Sequence, residues 1–400
     1  MSDLNVTPSR FDFGPVHAAM QHLVDTDMLA GVSHAVLRGR ELVDLACVGW
    51  ADREQRIPLR ADHLFRVFSN TKLVTSCAVM LLVEEGRFGL GDAVSRWIPQ
   101  LGALPVLKPG AASLADTEPL RNAITIRHLL THSAGLSYGL LDPGSLMFKA
   151  YRERRVLHPG RTLAQAMDTL AELPLLYQPG TGWEYSVASD VLGRLVEVVS
   201  GQPLDEFFHA RIFAPLGMVD TGFVVPPSQQ HRLTRHYAGA DPLDPGKPGL
   251  VPDDDFPHAG AWLRPAPRLD AGGGLVSTLP DMLALLRALL PGGPTLLKPE
   301  TLALMMRNHL PPGQSIVFTR PGPVRGKGFG LGGAVTLKPS SLEPPGSAGD
   351  FQWGGMSGTH WWISPGTGLA GLVMTQRRMS FWEPFFFELK RQAVGCVAGS

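Results

Sequence analysis

Four hundred residues with no net charge and only 18% charged side chains give enough chain for a large core and more than one hydrophobic unit. No basic stripe points to nucleic acid, no acidic tail to a disordered interaction arm, and no run of about eighteen apolar residues to a membrane span. The three cysteines (Cys47, Cys77, Cys396) stand far apart in apolar surroundings and read as small buried hydrophobes, not as a disulfide frame or a metal site.

The N-terminal residues Met1 to Thr7 lack the basic start and apolar core of a secretory leader, so the cytoplasm is the expected location. A helix is expected from Pro15 to Thr26, with Pro15 in its first turn. Two strands follow, Gly31 to Leu37 and Glu41 to Trp50, joined as a hairpin by Arg38-Gly39-Arg40. Next comes an extended, mostly apolar run, Phe65 to Phe68, and then a helical pattern with apolar residues at Leu73, Val74, Cys77, Ala78, Leu81 and Leu82. Gly86 stops that helix.

At the junction stands Ser69-Asn70-Thr71-Lys72. Residues three apart on a helix share a face, so Ser69 and Lys72 can touch if the helix begins at or just before Ser69. A serine hydroxyl attacks only when a base takes its proton, and a lysine serves as that base only in a setting that disfavours its charge. The helix N-terminus favours negative charge on the serine oxygen. A serine cap followed by a solvated lysine would give the same letters. Against that, Ser69 is the one serine in the chain with lysine at the third position. Lysine is also scarce, eight against twenty-eight arginines, and four of the eight precede proline in loops.

From 95 to 265, helical patterns alternate with Pro/Gly-rich loops. Helices are expected near Ile126–Thr131, Leu163–Glu172 and Ser186–Val199, the last with Ser186 as its cap. Tyr185 then sits at the edge of a rigid element, where its hydroxyl can point into a cleft; a core tyrosine bonded to backbone is the competing reading. Residues 225 to 265 read as a long surface excursion, too long for an inert connector. A helix from Leu279 to Leu290 follows, then strands at Gly330–Leu337, Thr359–Ser364 and Leu369–Thr375, and a final helix from Trp382 to Val397. Between them, Phe351-Gln352-Trp353-Gly354-Gly355-Met356-Ser357-Gly358 precedes a strand, and its glycines would let a ligand approach the backbone. The expected fold class is α+β: one antiparallel sheet built from both termini, residues 1–95 together with 266–400, with a mostly helical domain inserted at 96–265.

Ser69-x-x-Lys72, Tyr185-Ser186-Val187 and Trp353-Gly354-Gly355 occur in the order and spacing of the serine β-lactamase/penicillin-binding protein superfamily, and the chain most resembles the β-lactamase-like esterases, family VIII carboxylesterases. His128-Leu129-Leu130-Thr131-His132-Ser133-Ala134-Gly135-Leu136, Tyr177-Gln178-Pro179-Gly180, Pro215-Leu216-Gly217-Met218 and Gly272-Gly273-Gly274-Leu275-Val276-Ser277-Thr278 are similar to further segments of that superfamily. The resemblance implies helices flanking the antiparallel sheet and the active site between the two domains. It implies Ser69 as nucleophile, Lys72 as a proton acceptor or relay, and Tyr185 as general base and then acid to the leaving alcohol. It also implies an oxyanion hole from the N–H groups of Ser69 and Met356, with Trp353, Gly354 and Gly355 beside the substrate. It implies neither a metal nor an organic cofactor.

The chain departs from that pattern where Trp353 and Gly354 replace the usual Lys-Thr, and where Val187 replaces an asparagine. Losing those polar groups disfavours anionic, amide-rich substrates and relaxes specificity. The expected activity is therefore cleavage of carboxylic esters of short to medium acyl chain, with weak hydrolysis of some cephalosporins compatible with the same machinery. A β-lactamase or D-amino-acid peptidase, an acyltransferase, and a catalytically inactive binding protein are the alternatives. Three further features read as structural. Ser137 in Gly135-Leu136-Ser137-Tyr138-Gly139 lacks the strand-turn-helix setting of a nucleophile elbow. His128 and His132, four apart on a helix, lack a third zinc ligand. Asp253-Asp254-Asp255 lacks calcium-ligand spacing and reads as a solvated loop. The aromatic cluster Trp361, Trp362, Phe381, Trp382 and Phe385–Phe387 reads as core between the last strand and the last helix, part of it free to line an acyl pocket.

Overall fold

The computed structural model describes residues 6–7, 10–241, 244, 246–318 and 322–398; of the leader reading, Met1–Asn5 lie outside the described residues. Its strands are β1 (Gly31–Arg38), β2 (Glu41–Asp52), β3 (Ile57–Pro58), β4 (Lys327–Phe329), β5 (Ala334–Thr336), β6 (Phe351–Gly354), β7 (His360–Ser364) and β8 (Leu369–Met374). They form one sheet in the order β4-β5-β6-β7-β8-β1-β2-β3, every neighbour antiparallel. The N-terminal hairpin joins the C-terminal strands where β1 pairs with β8, from Ser33 opposite Met374 to Arg38 opposite Leu369. The tight β1–β2 turn needs Gly39 at a φ of 57°, a backbone state that costs glycine little.

The helices that matter to the site are α1 (Gly14–Asp25), α2 (Thr71–Glu84), α3 (Ile126–Leu130), α4 (Leu163–Leu170), α5 (Ala188–Ser200), α6 (Leu279–Arg287) and α7 (Phe385–Ala398). Val16 and Met20 of α1 and Leu389 of α7 pack with Val36, Trp362 and Val373 on one face of the sheet. Leu37, Trp361 and Leu372 pack on the other face with Val74 of α2 and Leu283 of α6. Side chains alternate across a strand, so adjacent Trp361 and Trp362 enter different cores. Trp361 is therefore not wedged between the last strand and the last helix as expected. Trp362, Phe385 and Phe386 are, Phe387 packs against them, and the side chain of Trp382 lies outside the described residues. Every residue of α2 from Thr71 to Leu82 is buried, including the polar Thr71, Lys72, Thr75 and Ser76, so the helix is enclosed on all sides.

Three expectations change in detail. The single strand expected over Gly330–Leu337 is half of a tight hairpin: β4 ends at Phe329, Gly330 N–H donates to Gly333 O (2.7 Å), and Gly332 turns at a φ of 107°. Phe351–Gly354 is itself a strand and not the lead-in to one. Residues 225 to 265 are no mere surface excursion: Tyr237–Gly239 pairs with Leu250–Pro252, and Ala261 and Trp262 are buried with Phe68. Among the described residues, 96–265 contributes no strand to the eight-stranded sheet, and no helix is long and apolar enough to cross a membrane.

Candidate active site

The short strand Phe65–Arg66 pairs with Val276–Ser277 and delivers the chain to a single 3₁₀ turn, Phe68–Asn70, that runs into α2. Ser69 lies in that turn and Lys72 in the first turn of α2. Phe68 holds a φ of 42°, a left-handed state that a β-carbon makes costly. The surrounding packing maintains it: the Phe68 ring sits 5.3 Å edge-on to Trp262 and 6.1 Å from Phe256.

Three polar atoms converge here. Tyr185 Oη and Ser69 Oγ share a 2.8 Å hydrogen bond, and Lys72 Nζ lies 3.4 Å from the same Oγ. Lys72 also donates to Gly272 O at 2.6 Å and stands 4.7 Å from the centre of the Tyr185 ring. Lys72 is 3% exposed and, among the described residues, has no carboxylate within ion-pair distance. Trp353, at the end of β6, sends its indole N–H to Tyr185 Oη at 3.3 Å.

The loop carrying Tyr185 is fixed by His132. Glu184 N–H donates to His132 O (3.0 Å), and Ser186 N–H and Ser186 Oγ both lie within hydrogen-bond reach of His132 Nδ1 (3.2 and 3.1 Å). Burial, then the charge of Lys72, push the His132 imidazole well below its ordinary range, so it stays neutral and Nδ1 can accept. His132 lies past the end of α3 at a φ of 55°, not on the helix with His128, whose ring caps Thr125 instead. Ser186 does not cap α5; Val187 precedes it without a side-chain cap, and the Ser186 hydroxyl is held by His132. Sequence reasoning set His132 aside as structural, and no spacing signal could have tied it to residues 184–186.

Behind Lys72, Arg268 is shared between two carboxylates: it lies 3.5 Å from Asp190 and 3.2 Å from Asp270. Burial, then the neighbouring Asp270 charge, push Asp190 up to about 7, because one guanidinium cannot neutralise both. Asp270 also accepts from Gly272 N–H (3.0 Å), which fixes the carbonyl that receives Lys72.

The glycines after Trp353 admit the protein's own groups. A β-carbon on Gly354 would collide with the His360 ring, and one on Gly355 with Val67 O and Thr359 Oγ1. Thr359 Oγ1 donates to Val67 O at 3.2 Å, so the end of β6 is clamped to the segment that leads into Ser69. The N–H of Met356, next in line, has no acceptor among the described residues.

A cavity of about 1160 Å³ opens above these atoms, with Phe68, Ser69, Tyr185, Trp353 and Met356 in its wall. Phe318, Phe381 and, from the long segment 225–265, Phe256 and Trp262 line it as well. Ser137 lies beneath the Tyr185 loop and does not line the cavity: it is 2% exposed and its Oγ donates to Glu184 at 3.2 Å. The acidic triplet is not simply solvated, since Asp254 accepts from Arg235 (2.9 Å) and from His236 N–H (2.9 Å), and Asp253 pairs with Arg378 (3.2 Å).

Known proteins resemble the chain over most of its length. Esterase EstB of Burkholderia gladioli is 36% identical over 363 residues, 87% of this chain and 86% of EstB. A lovastatin esterase of Penicillium rubens is 33% identical over 340 residues, 80% of this chain and 82% of that protein. The solved structure of EstCE1, described as a hydrolase with promiscuous acyltransferase activity, superposes with a TM-score of 0.77 at 28% identity, covering 95% of this chain and 97% of its own. The family model described as Beta-lactamase matches residues 16–383, and with the antiparallel sheet and its flanking helices this makes the chain a member of the beta-lactamase family.

Proposed function

We propose that this protein is a serine hydrolase that cleaves carboxylic esters of short to medium acyl chain through an acyl-enzyme on Ser69. The observation that carries the reading is the meeting of Tyr185 Oη and Lys72 Nζ on one serine oxygen, 2.8 and 3.4 Å away. Tyr185, acting as the phenolate, takes the Ser69 proton as Oγ attacks the ester carbonyl, and gives it to the leaving alcohol, which restores the phenolate. Lys72, facing the Tyr185 ring, and the Trp353 indole N–H both stabilise the negative charge that Tyr185 Oη carries before it takes the proton and after it gives it up. The N–H groups of Ser69 and Met356 receive the carbonyl oxygen as it becomes an oxyanion, and Gly354 and Gly355 let the end of β6 pack against His360, Thr359 and Val67 so that Met356 is presented to the site. Water then repeats the sequence on the acyl-enzyme. No step calls for a metal or an organic cofactor.

The esterase names of two relatives support this choice of substrate, and so do the side chains at the cavity. Where a lysine would face a β-lactam or peptide carboxylate stands an indole, and Val187 is buried and has no amide. An alcohol in place of water would make the protein an acyltransferase. The cavity has room for a bulky acceptor, and EstCE1 is described as having that activity. Hydrolysis of p-nitrophenyl butyrate measured beside nitrocefin, with and without an added alcohol, separates these readings. A fluorophosphonate probe should modify Ser69 and not Ser137; absence of any adduct would favour a non-catalytic binding protein.

A further inference from the structure

Segment 225–265 carries a buried imidazole that touches the neighbours of both residues of the proposed oxyanion hole, Ser357 beside Met356 and Phe68 beside Ser69. His236 is fully buried. Its Nε2 lies 2.7 Å from Ser357 Oγ, and Ser357 directly follows Met356. Its ring centre lies 5.8 Å from that of Phe68, the residue before Ser69. The other neighbour of the ring is Phe256, stacked at 5.9 Å, which also touches Phe68.

The hydrogen-bond chemistry fixes the tautomer. Among the described residues Nδ1 faces only acceptors: the Asp253 carbonyl at 3.1 Å and the Asp253 carboxylate at 3.6 Å. Nδ1 therefore carries the proton of the neutral ring, and Nε2 accepts from the Ser357 hydroxyl. Burial, then the charge of Arg66, hold the imidazole neutral, down to about 3. Serine, histidine and aspartate in this order look like a second nucleophilic triad, but Ser357 has no exposure and no substrate can reach it.

The arrangement instead ties a loop to a strained residue. Gly355 N–H donates to Thr359 O (2.6 Å) and Gly358 N–H to Gly355 O (3.0 Å), which makes residues 355–359 a compact turn. That turn is held on one side by Thr359 on Val67 and on the other by Ser357 on His236. Phe68, kept at a φ of 42°, needs packing to stay there, and His236 supplies one wall of it. From this geometry we infer that His236, through Ser357 and Phe68, is a positioning residue that sets the two oxyanion-hole N–H groups of Met356 and Ser69 in register with each other. The inference rests on the acyl-enzyme reading of Ser69.

Ser357→Ala removes the hydroxyl and leaves the backbone intact; His236→Gln keeps an acceptor near Nε2; His236→Ala removes it. For Ser357→Ala the expected result is a fall of about tenfold or more in kcat on p-nitrophenyl butyrate with KM within about twofold, since displaced oxyanion donors weaken the transition state more than the ground state. The inhibition constant of a boronic acid, whose tetrahedral adduct places an oxygen in the hole, should rise by the same factor. His236→Gln should recover part of the loss seen in His236→Ala, and if the latter does not fold, Ser357→Ala decides. A purely structural role would lower the melting temperature and leave kcat per labelled site and boronate affinity unchanged, and that result overturns the inference. If the wild-type protein neither turns over esters nor binds fluorophosphonate or boronate, the acyl-enzyme reading itself fails and takes this inference with it.

Discussion

Two buried regions of this molecule hold lysines, and they use them differently. Behind the sheet, Lys390 is fully buried and donates to Asp350 at 2.6 Å and to Gln352 at 2.8 Å, while Lys327 pairs with Glu343 and donates to Thr336 at 2.6 Å. Those charges are neutralised where they lie. In the cleft, Lys72 is about as buried but meets a backbone carbonyl, a serine hydroxyl and an aromatic ring, with its nearest carboxylates already bound to Arg268. A buried amine with a carboxylate partner holds structure together. One that lacks a partner and faces a hydroxyl is available for proton transfer and for stabilising charge that forms during a reaction.

Substitutions test that contrast directly. Ser69→Ala should remove ester turnover by about four orders of magnitude or more and abolish labelling by fluorophosphonate, with the fold intact by circular dichroism. Residual labelling would move the nucleophile elsewhere. Lys72→Met should cost about a thousandfold in kcat while changing the melting temperature little, because no ion-paired carboxylate is stranded by its loss. Lys390→Met should do the reverse: it strands Asp350 and lowers stability by about 3–5 kcal/mol, yet the folded fraction keeps its kcat per labelled site. If both variants lose stability equally and only stability, the distinction between the two regions collapses.

Tyr185→Phe removes one oxygen and should lower kcat about a hundredfold or more with an unchanged fold. Unchanged turnover would remove Tyr185 from the proton path. Trp353→Phe keeps an aromatic ring but deletes the N–H on Tyr185 Oη, and a fall of about tenfold in kcat is expected from the loss of one such bond. The smallest effect concerns Glu184, which burial pushes up to about 7. Its proton stays on in the folded chain over a pH range where the unfolded chain has lost it. The contribution to stability is therefore complete below the ordinary glutamate range and is lost as pH rises toward 7 and beyond. Glu184→Gln should flatten that decline in a melting-temperature series from pH 4 to 8; an unaltered slope would place the titrating group elsewhere.

Much of this arrangement is legible in the sequence because it is local. The spacing Ser69-x-x-Lys72 at a strand-to-helix junction fixes which face both side chains share, and the hairpin at Gly39 follows from φ preference alone. Period-two and period-3.6 apolar patterns likewise mark most strands and helices, although the hairpin at Gly330–Gly333 was hidden in a run of apolar and glycine letters. The helix Leu146–Glu153 also went unmarked. What depends on side chains meeting from distant parts of the chain was not legible. Nothing in the order of residues says that the Trp353 indole turns to Tyr185 Oη, that Gly355 is needed for Val67 O, or that His132 and His236 hold loops far from them in sequence. Sequence determined the chemical groups and their local geometry, because helix and strand periodicity act over a few residues. Only tertiary packing decided which of those groups lost their water, which kept a partner, and which were left facing the serine.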